Sequence, residues 1–216
     1  MKKALITGAS RGIGRAIAED LGKDHHIYAG ASKDASGIVS SLPSAEPFEA
    51  DLTDTDAILE AASNIEELDV LVLAAGVMDG GPLEELTDDK WREMMEVNLF
   101  APVTLTRALL PALRRSSGLI ITINSGAGFH GMAENSAYCA SKFALRGFTE
   151  SLAQEEAGKV RVTSLHPGRT DTDMLAGSND MPKMAADEVA KAARLAVDAG
   201  PDAVVEFLRV RPAFTS

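Results

Sequence analysis

Short apolar, β-branched runs alternate along this chain with longer amphipathic stretches. No other feature constrains the fold as strongly, because strands separated by helices are joined by crossovers and lie parallel in one sheet. Residues 4–7, 27–30, 70–74, 119–123 and 160–165 read as strands, with 47–50 a weaker strand and 203–210 a last one. Helices are expected over 12–22, 55–64, 87–113, 136–156 and 187–199. Val70-Leu71-Val72-Leu73 and Leu119-Ile120-Ile121-Thr122-Ile123 are apolar almost without a break. Such strands are buried on both faces, so helices must cover both sides of the sheet.

No repeat, low-complexity tract or linker interrupts this pattern, and residues 40–47 read as a loop between two elements. The 216 residues are therefore expected to form one domain. A formal charge of -11 with no basic run argues against a nucleic-acid partner. Cys139 is the only cysteine, which rules out an intramolecular disulfide and a thiolate metal cluster. A reducing, cytoplasmic setting fits. The start, Met1-Lys2-Lys3, is interrupted by glycines and Arg11 too soon for a signal peptide, and no segment approaches the ~18 apolar residues of a membrane span.

Two clusters carry chemistry. After the first strand, Thr7-Gly8-Ala9-Ser10-Arg11-Gly12-Ile13-Gly14 leads directly into a helix. Glycines there permit a tight turn and a close backbone approach to a pyrophosphate, which the amides and dipole of a helix start favour. A glycine-rich turn with no ligand is the alternative. Further on, Tyr138 and Lys142 lie four residues apart on an expected helix, so their side chains share a face. A nearby ammonium stabilises a phenolate and lowers its pKa, which would let Tyr138 exchange a proton with a substrate oxygen. Many helix lysines are merely solvated. Pro102 stands four residues after Asn98 and denies its carbonyl the usual helical donor, which predicts a kink and a carbonyl able to hold a water.

Thr7 to Gly14, Asn98, Ser125 and Tyr138-x-x-x-Lys142, in that order and spacing, resemble the short-chain dehydrogenase/reductase family from residue 3 to about residue 172. The resemblance implies a doubly wound Rossmann domain with a mostly parallel, seven-stranded sheet, and hydride transfer between a nicotinamide cofactor and a carbonyl or alcohol. By the same resemblance Tyr138 is the general acid/base, Ser125 orients the reacting oxygen, and Lys142 tunes the tyrosine and holds the nicotinamide ribose. Asn98 joins a proton relay through water. Gly8, Ser10, Arg11, Gly12, Ile13 and Gly14 would surround the cofactor phosphates, and Asp51 and Leu52 the adenine. For the Asp51 side chain, a solvated loop acid ahead of a helix cap reads equally well. Pro167, Gly168, Thr170 and Thr172 resemble the turn that fixes the nicotinamide amide. The family's Asn-Asn-Ala-Gly is here Leu73-Ala74-Ala75-Gly76. Gly76 keeps the cofactor approach, while hydrogen bonds made elsewhere by asparagine side chains need another source.

The end of the second strand, Tyr28-Ala29-Gly30-Ala31-Ser32-Lys33, has no acid before Asp34 to repel a 2′-phosphate. Arg11 and Lys33 could face that phosphate, so the reading leans to NADP over NAD. Residues 77–86, 126–135 and 171–184 would wall the substrate with Met78, Phe129, Met132, Met174, Leu175, Met181 and Met184, suited to a small or medium apolar carbonyl. Core packing explains such methionines equally well. His130 and His166 read as non-catalytic, and no metal site is indicated. The long helices around 91–113 and 136–156 could pair two subunits as a homodimer. A redox-inactive, dinucleotide-sensing protein on the same fold is the competing reading.

Overall fold

The computed structural model describes residues 1–176, 181–200 and 202–213. All seven expected strands form: β1 (Lys2–Ile6), β2 (His25–Ala31), β3 (Ala45–Glu49), β4 (Val70–Leu73), β5 (Leu119–Ile123), β6 (Arg161–Pro167) and β7 (Phe207–Val210). They make one sheet in the order β3-β2-β1-β4-β5-β6-β7, and every ladder is parallel. The helices are α1 (Gly12–Leu21), α2 (Ser36–Val39), α3 (Thr55–Ala62), α4 (Asp88–Met95), α5 (Ala101–Ser116), α6 (Ser136–Glu155) and α7 (Ala186–Val197).

Side chains along each central strand alternate between two cores. Ala4, Ile6, Val70, Val72, Ile121 and Ile123 pack beside Ile17, Leu21 and Val189 of α1 and α7. Leu5, Leu71, Leu73 and Ile120 face the other way, against Ile58 of α3, Leu105 and Leu109 of α5 and Leu152 of α6. Both faces are thus covered, as the unbroken apolar strands require.

Three differences from the expectation have local causes. The four-residue helix α2 had no periodic signal, and it follows an Asp34 carboxylate that accepts the Ser36 amide at 2.8 Å. β7 is shorter than residues 203–210, because the Ala203 amide turns back to Gly200 at 3.0 Å before the strand starts. The single helix expected over 87–113 is divided by a π turn at Glu96–Phe100, where the Ala101 amide reaches five residues back to the Glu96 carbonyl. Pro102 follows within the first turn of α5. The predicted kink therefore takes the form of a widened turn, a usual way of accommodating a missing i to i-4 donor.

Candidate active site

The chemistry-bearing residues gather at the carboxyl ends of the central strands, where ligands sit in open α/β sheets. Thr7 and Gly8 follow β1, Gly76 follows β4, Ser125 follows β5, Pro167 ends β6 and Gly168 follows it. Gly8 adopts φ +66°, and a Cβ on Gly14 would lie 2.3 Å from the Gly8 carbonyl oxygen, so the turn closes only with glycine there. α1 then starts at Gly12 behind Arg11, which supplies no side-chain cap to the first amides. Ser10 and Arg11 are exposed and Ile13 is half-buried.

The missing asparagine side chains of the Leu73-Ala74-Ala75-Gly76 segment are replaced by Thr7. Its Oγ1 accepts the amides of Ala74 and Ala75, both at 3.0 Å, and ties the ends of β1 and β4 together. Beyond them Gly76 faces the centre of the site: a Cβ there would lie 3.1 Å from Asn98 Oδ1 and 3.7 Å from Lys142 Nζ. The Asn98 side chain accepts the Val77 amide and donates to the Val77 carbonyl, each at 2.9 Å, and donates to Ser141 Oγ at 3.0 Å. Ser141 Oγ in turn donates to the Tyr138 carbonyl at 2.8 Å. The π turn thus carries the residue that couples the loop after β4 to α6.

Ser125 is fixed at every polar group. Its amide donates to Asn124 Oδ1 at 2.8 Å, and its Oγ accepts the Ala127 amide at 3.1 Å. Tyr138 is buried, and the Ser125 side chain acts on its phenol. Lys142 is buried too, with Nζ 5.7 Å from the Tyr138 ring centroid and donating to the Ile123 carbonyl at 3.1 Å. Asn124 also donates to the Lys142 carbonyl at 3.2 Å, which docks α6 on the end of β5.

The electrostatics differ from expectation. Burial raises the Tyr138 phenol above its ordinary value of 10, while the Ser125 hydrogen bond pulls down and the neighbouring Cys139 adds to the rise. Burial also brings Lys142 from 10.5 down to about 8. The ammonium is directed at a carbonyl, so the depression of the tyrosine pKa predicted from the spacing is not found in this arrangement.

Several side chains expected around the cofactor have local partners. Asp51 Oδ1 accepts from the Thr53 amide at 2.9 Å and the Thr53 hydroxyl at 2.7 Å, and Leu52 packs against the core. Asp54, not Asp51, caps α3. Arg11 lies 3.8 Å from Asp173 across the cleft, with both side chains exposed. Thr172 comes close to Gly12, Gly168 packs beside Arg211 and Pro212, and Thr170 Oγ1 donates to the Gly168 carbonyl at 3.0 Å. Phe129 makes ring contacts with His166 and Phe207, and Met184 packs in the core beside α7, the packing role that was the alternative to a substrate wall. Met78 packs against the cluster around Tyr138. Residues 177–180 of the third expected wall lie outside the described residues. Asn124, Ser141 and His166 carried no spacing signal, since Lys142, Asn98 and Ser125, which they meet, are brought near only by the fold.

A single α/β sheet of this order, with these residues at one edge, defines a dinucleotide-fold oxidoreductase. The family model for short chain dehydrogenase matches residues 2–183, and the chain belongs to the short-chain dehydrogenase/reductase family. It is 36% identical over 189 residues to a 3-oxoacyl-[acyl-carrier-protein] reductase, FabG, of Salmonella typhimurium, covering 83% of this chain and 78% of the relative. It is also 36% identical over 194 residues to nodulation protein G of a Rhizobium species, covering 85% of this chain and 79% of that one. An alcohol dehydrogenase from Thermococcus sibiricus, solved with 5-hydroxy-NADP, superposes with a TM-score of 0.91 at 28% identity, covering 100% of this chain and 98% of its own. A metagenomic short-chain oxidoreductase in complex with NADP gives a TM-score of 0.85 at 34% identity, covering 99% and 98%. Among the described residues no helix is long and apolar enough to cross a membrane.

Proposed function

We propose that this protein transfers a hydride between NADP(H) and a small or medium apolar carbonyl or alcohol, with Tyr138 as general acid/base. One observation carries the reading: Asn98 and Lys142 meet beside Gly76, the Lys142 ammonium lies over the Tyr138 ring, and Ser125 follows β5 at the same sheet edge as the glycine turn. The turn fits a dinucleotide because α1 begins without a side-chain cap, leaving its first amides and dipole available to a pyrophosphate. Gly8, Ser10, Arg11, Gly12, Ile13 and Gly14 would hold the phosphates. Leu52 and the free edge of Asp51 would meet the adenine, and Pro167, Gly168, Thr170 and Thr172 the nicotinamide amide.

NADP is favoured over NAD by what ends β2. Ala31 and Ser32 offer no carboxylate, and the next acid, Asp34, is turned to the Ser36 amide. Lys33 and Arg11 are exposed cations that follow β2 and β1, and solved relatives carry NADP.

When bound, NADPH supplies the hydride to a carbonyl carbon. The chain's own residues then manage the oxygen and its proton. The Ser125 hydroxyl already accepts from the Ala127 amide, so its proton is directed outward to an oxygen, that of Tyr138 or of the substrate. Tyr138 delivers the proton as charge grows on the substrate oxygen. Lys142, 5.7 Å from the ring and donating to the Ile123 carbonyl, would stabilise a phenolate only by turning from that carbonyl, and Asn98 holds Val77 beside Gly76.

Replacing Tyr138 by Phe tests the proposal in an assay of reduced-nicotinamide absorbance with NADPH and NADH against a carbonyl panel. Turnover should fall at least about a hundredfold, with NADPH affinity retained. Full turnover by the variant refutes the assignment, and cofactor binding without carbonyl-dependent consumption by the unaltered protein points to a sensor.

A further inference from the structure

His166 is the next-to-last residue of β6, directly before Pro167 and Gly168, and is 1% exposed. Its Nδ1 lies 3.2 Å from the Ser125 carbonyl, and its Nε2 lies 2.7 Å from Ser164 Oγ. A carbonyl oxygen only accepts, so Nδ1 carries the ring proton and Nε2 accepts from the Ser164 hydroxyl. The ring is clamped as well. Phe129 stands 4.5 Å and Phe207 4.6 Å from it between centroids, and the Arg146 guanidinium covers Phe129 at 4.2 Å. Burial brings the imidazole pKa down to about 4 against the opposing hydrogen bond to the Ser125 carbonyl; Arg146 and Arg209 add to the lowering, and Glu150 opposes it. A single tautomer therefore persists across the working pH range.

Ser125 needs such a hold. It is extended, at φ -164° and ψ 165°, and it opens a short turn, Gly126–Gly128, with little side chain to anchor it. Asn124 restrains its amide and Ala127 its hydroxyl; its carbonyl accepts the Gly128 amide at 3.1 Å within the turn, and His166 donates to it from the next strand.

We propose that His166 is a positioning residue, whose Nδ1–H fixes Ser125 relative to the turn at Pro167 and Gly168 and so sets the alignment of substrate oxygen and carbon for hydride transfer. The inference rests on the assignment of Ser125 as the residue that orients the reacting oxygen. It adds a link between that residue and the strand end expected to hold the nicotinamide.

His166→Asn keeps an N–H donor near the place of Nδ1, whereas His166→Leu has nearly the same size and none. Both variants, with Ser125→Ala as reference, are measured for kcat, KM, NADPH affinity, thermal midpoint and the isotope effect on kcat from 4-deuterated NADPH. The leucine variant should lose at least about tenfold in kcat, since misplacements near 1 Å cost up to a hundredfold. Its isotope effect should rise while its NADPH affinity stays within about twofold of the unaltered protein, a pattern set by alignment at the reacting centre. The asparagine variant should recover most of kcat and the original isotope effect. Should the leucine variant fail to fold, His166→Gln makes the same comparison, because its amide reaches towards Ser164 instead of Ser125. Equal impairment of the donor-bearing and donor-lacking variants, or unaltered kcat in His166→Leu beside an impaired Ser125→Ala, overturns the proposal. Unaltered kcat in Ser125→Ala overturns the reading beneath it.

Discussion

Lys142 shows how far a residue's chemistry departs from its spacing. The pattern Tyr138-x-x-x-Lys142 identified the pair, but the sign of the electrostatic effect depends on burial, and spacing holds no information about burial. With a folded pKa near 8 against 10.5 when unfolded, the lysine loses its charge in the native protein first. Between these values the unfolded chain holds more protons, so the lysine's contribution to stability rises with pH through this window and is lost as pH falls back through it. Activity should move the opposite way. We expect kcat/KM for the dinucleotide, which reports the free protein, to fall above pH 8 as the ammonium deprotonates. A profile flat to about pH 9.5 would assign that charge no part. Ser125 and Asn98 were legible as residues by order in the chain, whereas their partners His166 and Ser141 were not. His166 meets the Ser125 carbonyl 41 residues away, and Ser141 Oγ accepts from the Asn98 side chain 43 residues away.

At the level of elements, the tie between β1 and β4 replaces one side-chain strategy by another. Thr7 Oγ1 accepts two amides that would otherwise stand unpartnered in a half-buried loop. Thr7→Val keeps the shape and removes the acceptor, at a cost of about 1–3 kcal/mol for each amide left unsatisfied. A lower thermal midpoint with weaker NADPH binding is expected, and Thr7→Ser should restore both. An unchanged midpoint in the valine variant would show that water replaces the hydroxyl fully. Strands β4 and β5 were legible to within a residue because their apolar runs are short and bounded. The long helix was legible in extent and, through Pro102, in the place of its break, but not in the form the break takes. A missing amide can be met by a bend, a bound water or a widened turn, and only packing of Asn98 between Val77 and Ser141 decides among them.

The whole molecule leaves apolar side chains in the open on its long helices. Phe100 on the π turn is 49% exposed and Phe143 on α6 is 45% exposed. Pairing of two copies across these helices would cover them, and light scattering at micromolar concentration should then give twice the chain mass of 22.7 kDa. Phe143→Asp should shift it to the single mass. A single mass for the unaltered chain removes the homodimer from the reading. Sheet order was legible only through the family resemblance, since apolar runs specify strands without specifying neighbours. That order has a kinetic side. Because all the ladders are parallel, no two adjacent strands can zip together through a tight hairpin, and the central partners β1 and β4 begin 68 positions apart, Lys2 to Val70. Closing so long a loop costs entropy before any contact rewards it. The chain must assemble its middle late, and its refolding will be slow beside that of a helical bundle of equal length.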